Sequence, residues 1–143
     1  MCYDLAVFDP AAAPHDKAEF LVWYYQKADW SESHDYNDPA VSTATLRAWF
    51  LEMITEFPMM NGPYAADPLD PDDSRVTDYS VGQAMIYVAF RWSQAEVAYE
   101  TMFRLAAKHG VGLFDVSSAD GKVWRPDGNG QLSCIYAATA ESA

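Results

Sequence analysis

The residues able to do chemistry in this sequence are few and widely spaced. His34 with Asp35 and Asp38 comes nearest to a metal site, since imidazole and carboxylates ligate divalent ions. The other histidines are His15 and His109, and none of the three falls in an H-x-x-x-H or H-E-x-x-H spacing, so the segment reads as a polar loop and no metal is expected. Asp67, Asp70, Asp72 and Asp73 gather hard oxygen donors of the kind calcium takes. The calcium-loop pattern D-x-[DN]-x-[DN]-G-x₅-E is missing, however, and Pro68 and Pro71 hinder wrapping round an ion. A solvated acidic loop is the plainer reading. Covalent catalysis needs Ser, Cys or Thr beside a base, but there is no G-x-S-x-G, and Cys2 and Cys134 sit in apolar, strand-like contexts that suit inert thiols. Neither glycine-rich phosphate pattern occurs. The expectation is no enzyme and no cofactor.

What the sequence offers instead is recognition chemistry. Residues 29–38 carry a net −4, residues 67–73 carry another −4, and the whole chain of 143 residues carries −12. A footprint of about 800 Å² chosen at random on a protein of this size would carry only about −1.3. If the two stretches meet in space, Glu32, Asp35, Asp38, Asp67, Asp70, Asp72 and Asp73 make an anionic docking face for a cationic protein, with Trp30 and Tyr36 as aromatic anchors. The same charge argues against nucleic acid or an anionic membrane as direct partner, because both demand a basic surface. Residues 1–80 hold 15 acids and 4 bases, whereas residues 81–143 hold 6 acids and 5 bases, so the charge is concentrated in the N-terminal half.

The elements that must position these groups follow from periodicity and punctuation. A first strand at 3–8 closes at Asp9-Pro10, and a helix capped by Asp16 runs to about Asp29. Pro39 ends the loop that follows. Leu46, Trp49, Phe50, Met53, Ile54 and Phe57 then mark a helix capped at Ser42 or Thr43 and stopped by Pro58. Residues 58–75 read as a long surface loop. Strands are expected at 76–81 and 85–92 round a Gly82-Gln83 tip, with Met85, Tyr87, Ala89 and Arg91 on one face of the second. A third helix opens with the S-x-x-E pattern of Ser93 and Glu96 and stops at Gly110, and its row Glu96, Glu100, Arg104, Lys108 suits a solvated face with i,i+4 pairing. Strands at 111–117 and 122–125 follow, and 132–136 is a sixth short strand or part of a loosely fixed tail over 129–143.

This order makes one α+β domain over 1–143, with a ferredoxin-like (split βαβ) antiparallel sheet. Helices cover one face, an extra helix sits in the first crossover, and extra strands follow at the C-terminal end. An uncovered sheet face would have to meet a loop, a ligand or a second subunit, so a homodimer is a possible assembly and a structural homodimer a third functional alternative. Before it stands a small-ligand protein or enzyme with a pocket under the 58–75 loop, lined by Tyr79, Tyr87 and Arg91. Two isolated cysteines, no basic leader ahead of an apolar stretch, and a longest uncharged apolar run of 12 residues (79–90) lead to a cytoplasmic, non-membrane expectation.

The run from Asp78-Tyr79 to Trp92-Ser93, the Ala-Ala-Lys-His-Gly of 106–110 and Gly112-Leu113-Phe114-Asp115-Val116 resemble a group of small bacterial proteins. These are similar in size and acidity to the immunity proteins of contact-dependent and type VI polymorphic toxin systems. The resemblance spans most of residues 1–126 and rests on texture, without a diagnostic motif. It implies a cytoplasmic inhibitor that covers the cleft of a cationic toxin domain, and it transfers no binding residue.

Overall fold

The computed structural model describes residues 2–14, 17–27, 39–59, 75–116, 122–127 and 130–136. Six strands, β1 (Cys2–Phe8), β2 (Asp78–Val81), β3 (Met85–Arg91), β4 (Gly112–Phe114), β5 (Val123–Pro126) and β6 (Leu132–Tyr136), form one sheet. Three helices, α1 (Lys17–Lys27), α2 (Ala44–Glu56) and α3 (Ala95–His109), pack against it. The strand order is β2-β3-β1-β4-β5-β6, antiparallel throughout. Its first four members have the split βαβ order expected from the sequence, and β5 and β6 extend that sheet beyond β4. The 132–136 segment is therefore a strand, paired with β5. No helix among the described residues is long and apolar enough to cross a membrane.

Alternation along β1 explains the layering. Leu5 and Val7 face one core, and Ala6 and Phe8 face another. The central strand is buried on both sides, which is why its sequence reads as an unbroken apolar run. On the first side, α2 contributes Leu46, Trp49, Phe50 and Met53, and α3 contributes Ala98, Met102, Leu105 and Ala106, both at i, i+3/i+4 and i+7 or i+8 spacing. Each large side chain so buried stabilises the fold by about 1.5–3 kcal/mol. Packing rather than intrinsic propensity therefore holds a 13-residue helix such as α2, which would be marginal alone.

On the other side lies α1, the extra helix of the first crossover. Phe20 and Tyr24, one turn apart, pack with Phe8, Phe114, Met85 and Val123. The rings meet edge-on or tilted, with centroids 5.0 Å apart for Phe8–Phe20 and 4.8 Å for Tyr24–Phe114. While α2 and α3 share one face as expected, α1 supplies from within the chain the cover over Ala6, Phe8 and Phe114 that the sequence left open.

Local signals are honoured unevenly. Gly110 adopts the left-handed conformation (φ 71°) at the end of α3, with its own N–H and that of Val111 both donating to Ala106 O. Ser93, by contrast, lies inside a 3-10 turn (Trp92–Gln94), and Gln94 is the residue preceding α3, with no side-chain capping bond. The basic half of the α3 charge row also departs from simple i,i+4 pairing. Arg104 reaches Glu56 of α2 at 2.7 Å, Lys108 reaches Glu52 at 2.9 Å, and His109 Nε2 lies 2.9 Å from the same carboxylate. Two antiparallel helices bring positions four apart on one opposite positions four apart on the other, so these pairs register α2 against α3.

The ends of α2 are fastened to the β2–β3 ribbon. Ser42 Oγ donates to Gly82 O at 2.7 Å and Thr43 N–H to Gln83 O at 3.1 Å, at the hairpin tip. At the far end, Thr77 N–H donates to Pro58 O at 2.8 Å, and the Tyr79 hydroxyl donates to Phe57 O at 2.7 Å.

Candidate functional site

All nine residues expected to bind a partner, Trp30, Glu32, Asp35, Tyr36, Asp38, Asp67, Asp70, Asp72 and Asp73, lie outside the described residues, as do His15 and His34. What is described is where their segments attach. Residues 28–38 rejoin the fold at the 3-10 turn Pro39–Val41, just before the hairpin-tip end of α2. Residues 60–74 leave from Met59 and return at Arg75, at the other end, where Met59 bridges Thr77 and the Arg75 guanidinium sits over the Phe57 ring. The 13 residues of α2 set these attachment points about 20 Å apart.

Of the residues expected to line a pocket under the 58–75 loop, Tyr79 and Tyr87 face opposite sides of the sheet, and residues 60–74 of that loop lie outside the described residues. Tyr79 pairs with Val88 and is buried in the α2/α3 core, whereas Tyr87 pairs with Ser80 and Ala6 and faces the other side of the sheet, where its hydroxyl donates to Asp4 Oδ2. Strand alternation puts the two tyrosines on opposite faces, so no single cavity takes both. Burial also pushes the Tyr79 hydroxyl well above its ordinary pKa, so it remains a neutral donor to Phe57.

A different concavity exists between α3 and β5. Trp124 of β5 is set opposite Leu113 on one side and Cys134 on the other. From α3, Tyr99 and Phe103, one turn apart, flank the buried stripe and lean towards that strand. Together with Glu100 and Arg104 they enclose an open hollow of about 390 Å³. Tyr99 and Phe103 are stacked at 6.0 Å and 28°, and Phe103 meets Trp124 edge-on at 5.0 Å.

The charged side chains lining this hollow are Glu100 and Arg104, with Asp115 acting on its tyrosines. Tyr3, whose ring lies 5.2 Å from that of Trp92, has its pKa pushed up to about 12, first by burial and then by the Asp115 carboxylate and Tyr99. Tyr99 is raised as well, by burial, then Asp115, then Cys134, with the Trp124 indole opposing. Arg104 is turned towards Glu56, while Glu100 forms no ion pair among the described residues. The site thus presents aromatic faces, protonated phenols, the Glu100 carboxylate and the Arg104 guanidinium. Among the described residues no three His, Cys, Asp or Glu side chains are grouped to hold a metal.

Tyr99, Phe103 and Trp124 were legible only indirectly. An i,i+4 aromatic pair beside a charge row, outside the stripe 98, 101, 102, 105, is the signal that α3 carries a second apolar flank. In comparisons with protein-family models, curated proteins and solved structures, no match to this chain was found.

Proposed function

We propose that this is a non-catalytic cytoplasmic binding protein that neutralises a cationic protein partner, the role of the immunity proteins whose texture its sequence shares. The observation that carries the reading is a division of charge. Residues 29–38 and 67–73 hold 8 of the 21 acidic residues and no lysine or arginine, a net −8 of the chain's −12. The two segments join the described fold at opposite ends of α2. Basic side chains of the described residues are partly spent on cross-helix pairs and backbone carbonyls. Charge concentrated in this way speeds and orients association with a cationic surface by about 10- to 1,000-fold, with strong salt dependence.

The test is capture of the partner from the native host by the tagged full chain, followed by affinity measurement against salt. Replacing Asp67, Asp70, Asp72 and Asp73 with lysine should weaken binding and flatten the salt dependence. An unchanged affinity with an unchanged salt slope would remove the docking role of that segment.

A further inference from the structure

We propose that the hollow between α3 and β5 is an aromatic seat for a guanidinium or ammonium side chain projected by the cationic partner. This deepens the binding reading above and rests on it.

Three observations converge. The walls are the rings of Tyr99, Phe103 and Trp124, set at right angles or offset so that ring faces and edges both line the hollow. Aromatic faces attract cations through their quadrupoles, tryptophan most strongly. Two charged side chains line the hollow, Glu100 and Arg104. Arg104 is already paired with Glu56 at 2.7 Å, whereas Glu100 has no ion pair among the described residues, and Asp115 raises both Tyr3 and Tyr99 nearby. A cationic head beside Glu100 gains an ion pair, and a neutral apolar ligand would desolvate that carboxylate without compensating it.

The third observation concerns what lies beside the hollow. Tyr3 links Tyr99 to Trp92, which is 48 % exposed. An exposed Trp beside an open aromatic hollow is a feature of protein contacts, where Trp and Tyr dominate binding energy, rather than of an enclosed small-molecule site. The hollow is open to solvent and its volume lies within the range of ligand pockets, so a side chain can enter it end-on.

The test titrates the intact, isotopically labelled protein with a blocked Gly-Arg-Gly peptide, the same peptide with neutral citrulline in place of arginine, and tetramethylammonium. The readout is the Trp124 indole N–H resonance. The arginine peptide should shift that resonance saturably and the citrulline peptide should not. Trp124→Leu and Glu100→Gln should each weaken the arginine peptide by about 5- to 30-fold while leaving the melting temperature within a few degrees. Equal binding of the citrulline peptide would overturn the proposal, and so would saturation by tetramethylammonium with no response to the arginine peptide, which would mark a free small cation as the occupant. Should Trp124→Leu unfold the chain, Glu100→Gln and the two-peptide comparison still decide. Capture of a partner that ignores Trp124→Leu and Glu100→Gln but is lost on charge reversal at 67–73 would end this inference alone. Failure of capture with peptide binding intact would count against the proposed function alone.

Discussion

Gly112 lies directly beneath the ring of Phe8: a Cβ built on this glycine would stand 2.2 Å from Phe8 Cζ. The two residues are partners in the β1–β4 register, and Phe8 cannot turn aside because Phe20 packs against it at 5.0 Å and Trp23 at 6.3 Å. Gly112→Ala should therefore cost about 2–3 kcal/mol through overpacking. Gly110→Ala, where nothing lies within 4 Å and only the left-handed φ of 71° is strained, should cost about 1 kcal/mol. Urea unfolding of both variants checks the order, with unchanged m-values showing that stability alone has moved.

Arg125, 7 % exposed, gathers a loop by its carbonyls. Its guanidinium donates to Pro10 O, Ala13 O and Pro14 O, the last at 3.2 Å, and lies 5.7 Å from the Phe8 ring centroid. Arg125→Leu should cost about 2–3 kcal/mol, because buried carbonyls lose charge-assisted donors. Arg125→Lys should recover only part of it, since an ammonium cannot span the same fork. Thermal unfolding of the two variants separates charge from geometry.

Glu52 links Lys108 and His109 of α3, and its pKa is lowered by hydrogen bonds from Lys108 and then from His109. A carboxylate depressed on folding contributes stability that is present above its ordinary 4.5 and is lost as pH falls through the lower folded value. The melting temperature of Glu52→Gln should lie slightly below that of the native chain at neutral pH, and the two curves should converge in acid. Because Glu52 is exposed, salt should shrink the gap at neutral pH.

Tyrosine titration gives the opposite sign. Tyr3 and Tyr24 are pushed up to about 12, chiefly by burial, and burial raises Tyr79 well above its ordinary value. Stability that depends on the neutral phenols is fully present below pH 10 and is lost as pH rises through these folded values. Ultraviolet phenolate absorbance should show a fraction of the 9 tyrosines ionising only above that pH, together with unfolding. Tyr79→Phe, which leaves Phe57 O without its donor, should cost about 1–2 kcal/mol at neutral pH.

Much of the fold was readable because each signal was local. The stripe Leu46, Trp49, Phe50, Met53 made α2, the φ freedom of glycine marked the stop at Gly110, and the apolar runs of β1 and β3 fell where strands now stand. What was harder to read is relational. Phe20 and Tyr24 show that α1 has an apolar face but not which side of the sheet receives it. The clue was β1 itself, apolar at both parities and hence covered on both sides. Tyr79 and Tyr87 could have been separated from sequence too. A two-residue tip at Gly82-Gln83 and the observed register, Val81 opposite Ile86, differ by an even number of positions, and either places the tyrosines on opposite faces. The hollow at Trp124 required knowing that β5 pairs with β4 and brings Trp124 to the Tyr99 and Phe103 flank of α3, a long-range fact no spacing encodes. The nine partner-binding candidates lie outside the described residues, and only the anchorages of their segments enter the geometry.

Those anchorages have a mechanical consequence. Because α2 is tied to the hairpin tip through Ser42 and Thr43 and to the start of β2 through Pro58 and Thr77, it behaves as a strut rather than a swinging arm. The attachment points of residues 28–38 and 60–74 are thereby held at one fixed spacing. For the cationic partner proposed above, mutations that loosen either tie should blunt discrimination between rival surfaces before they weaken the hold on any one of them.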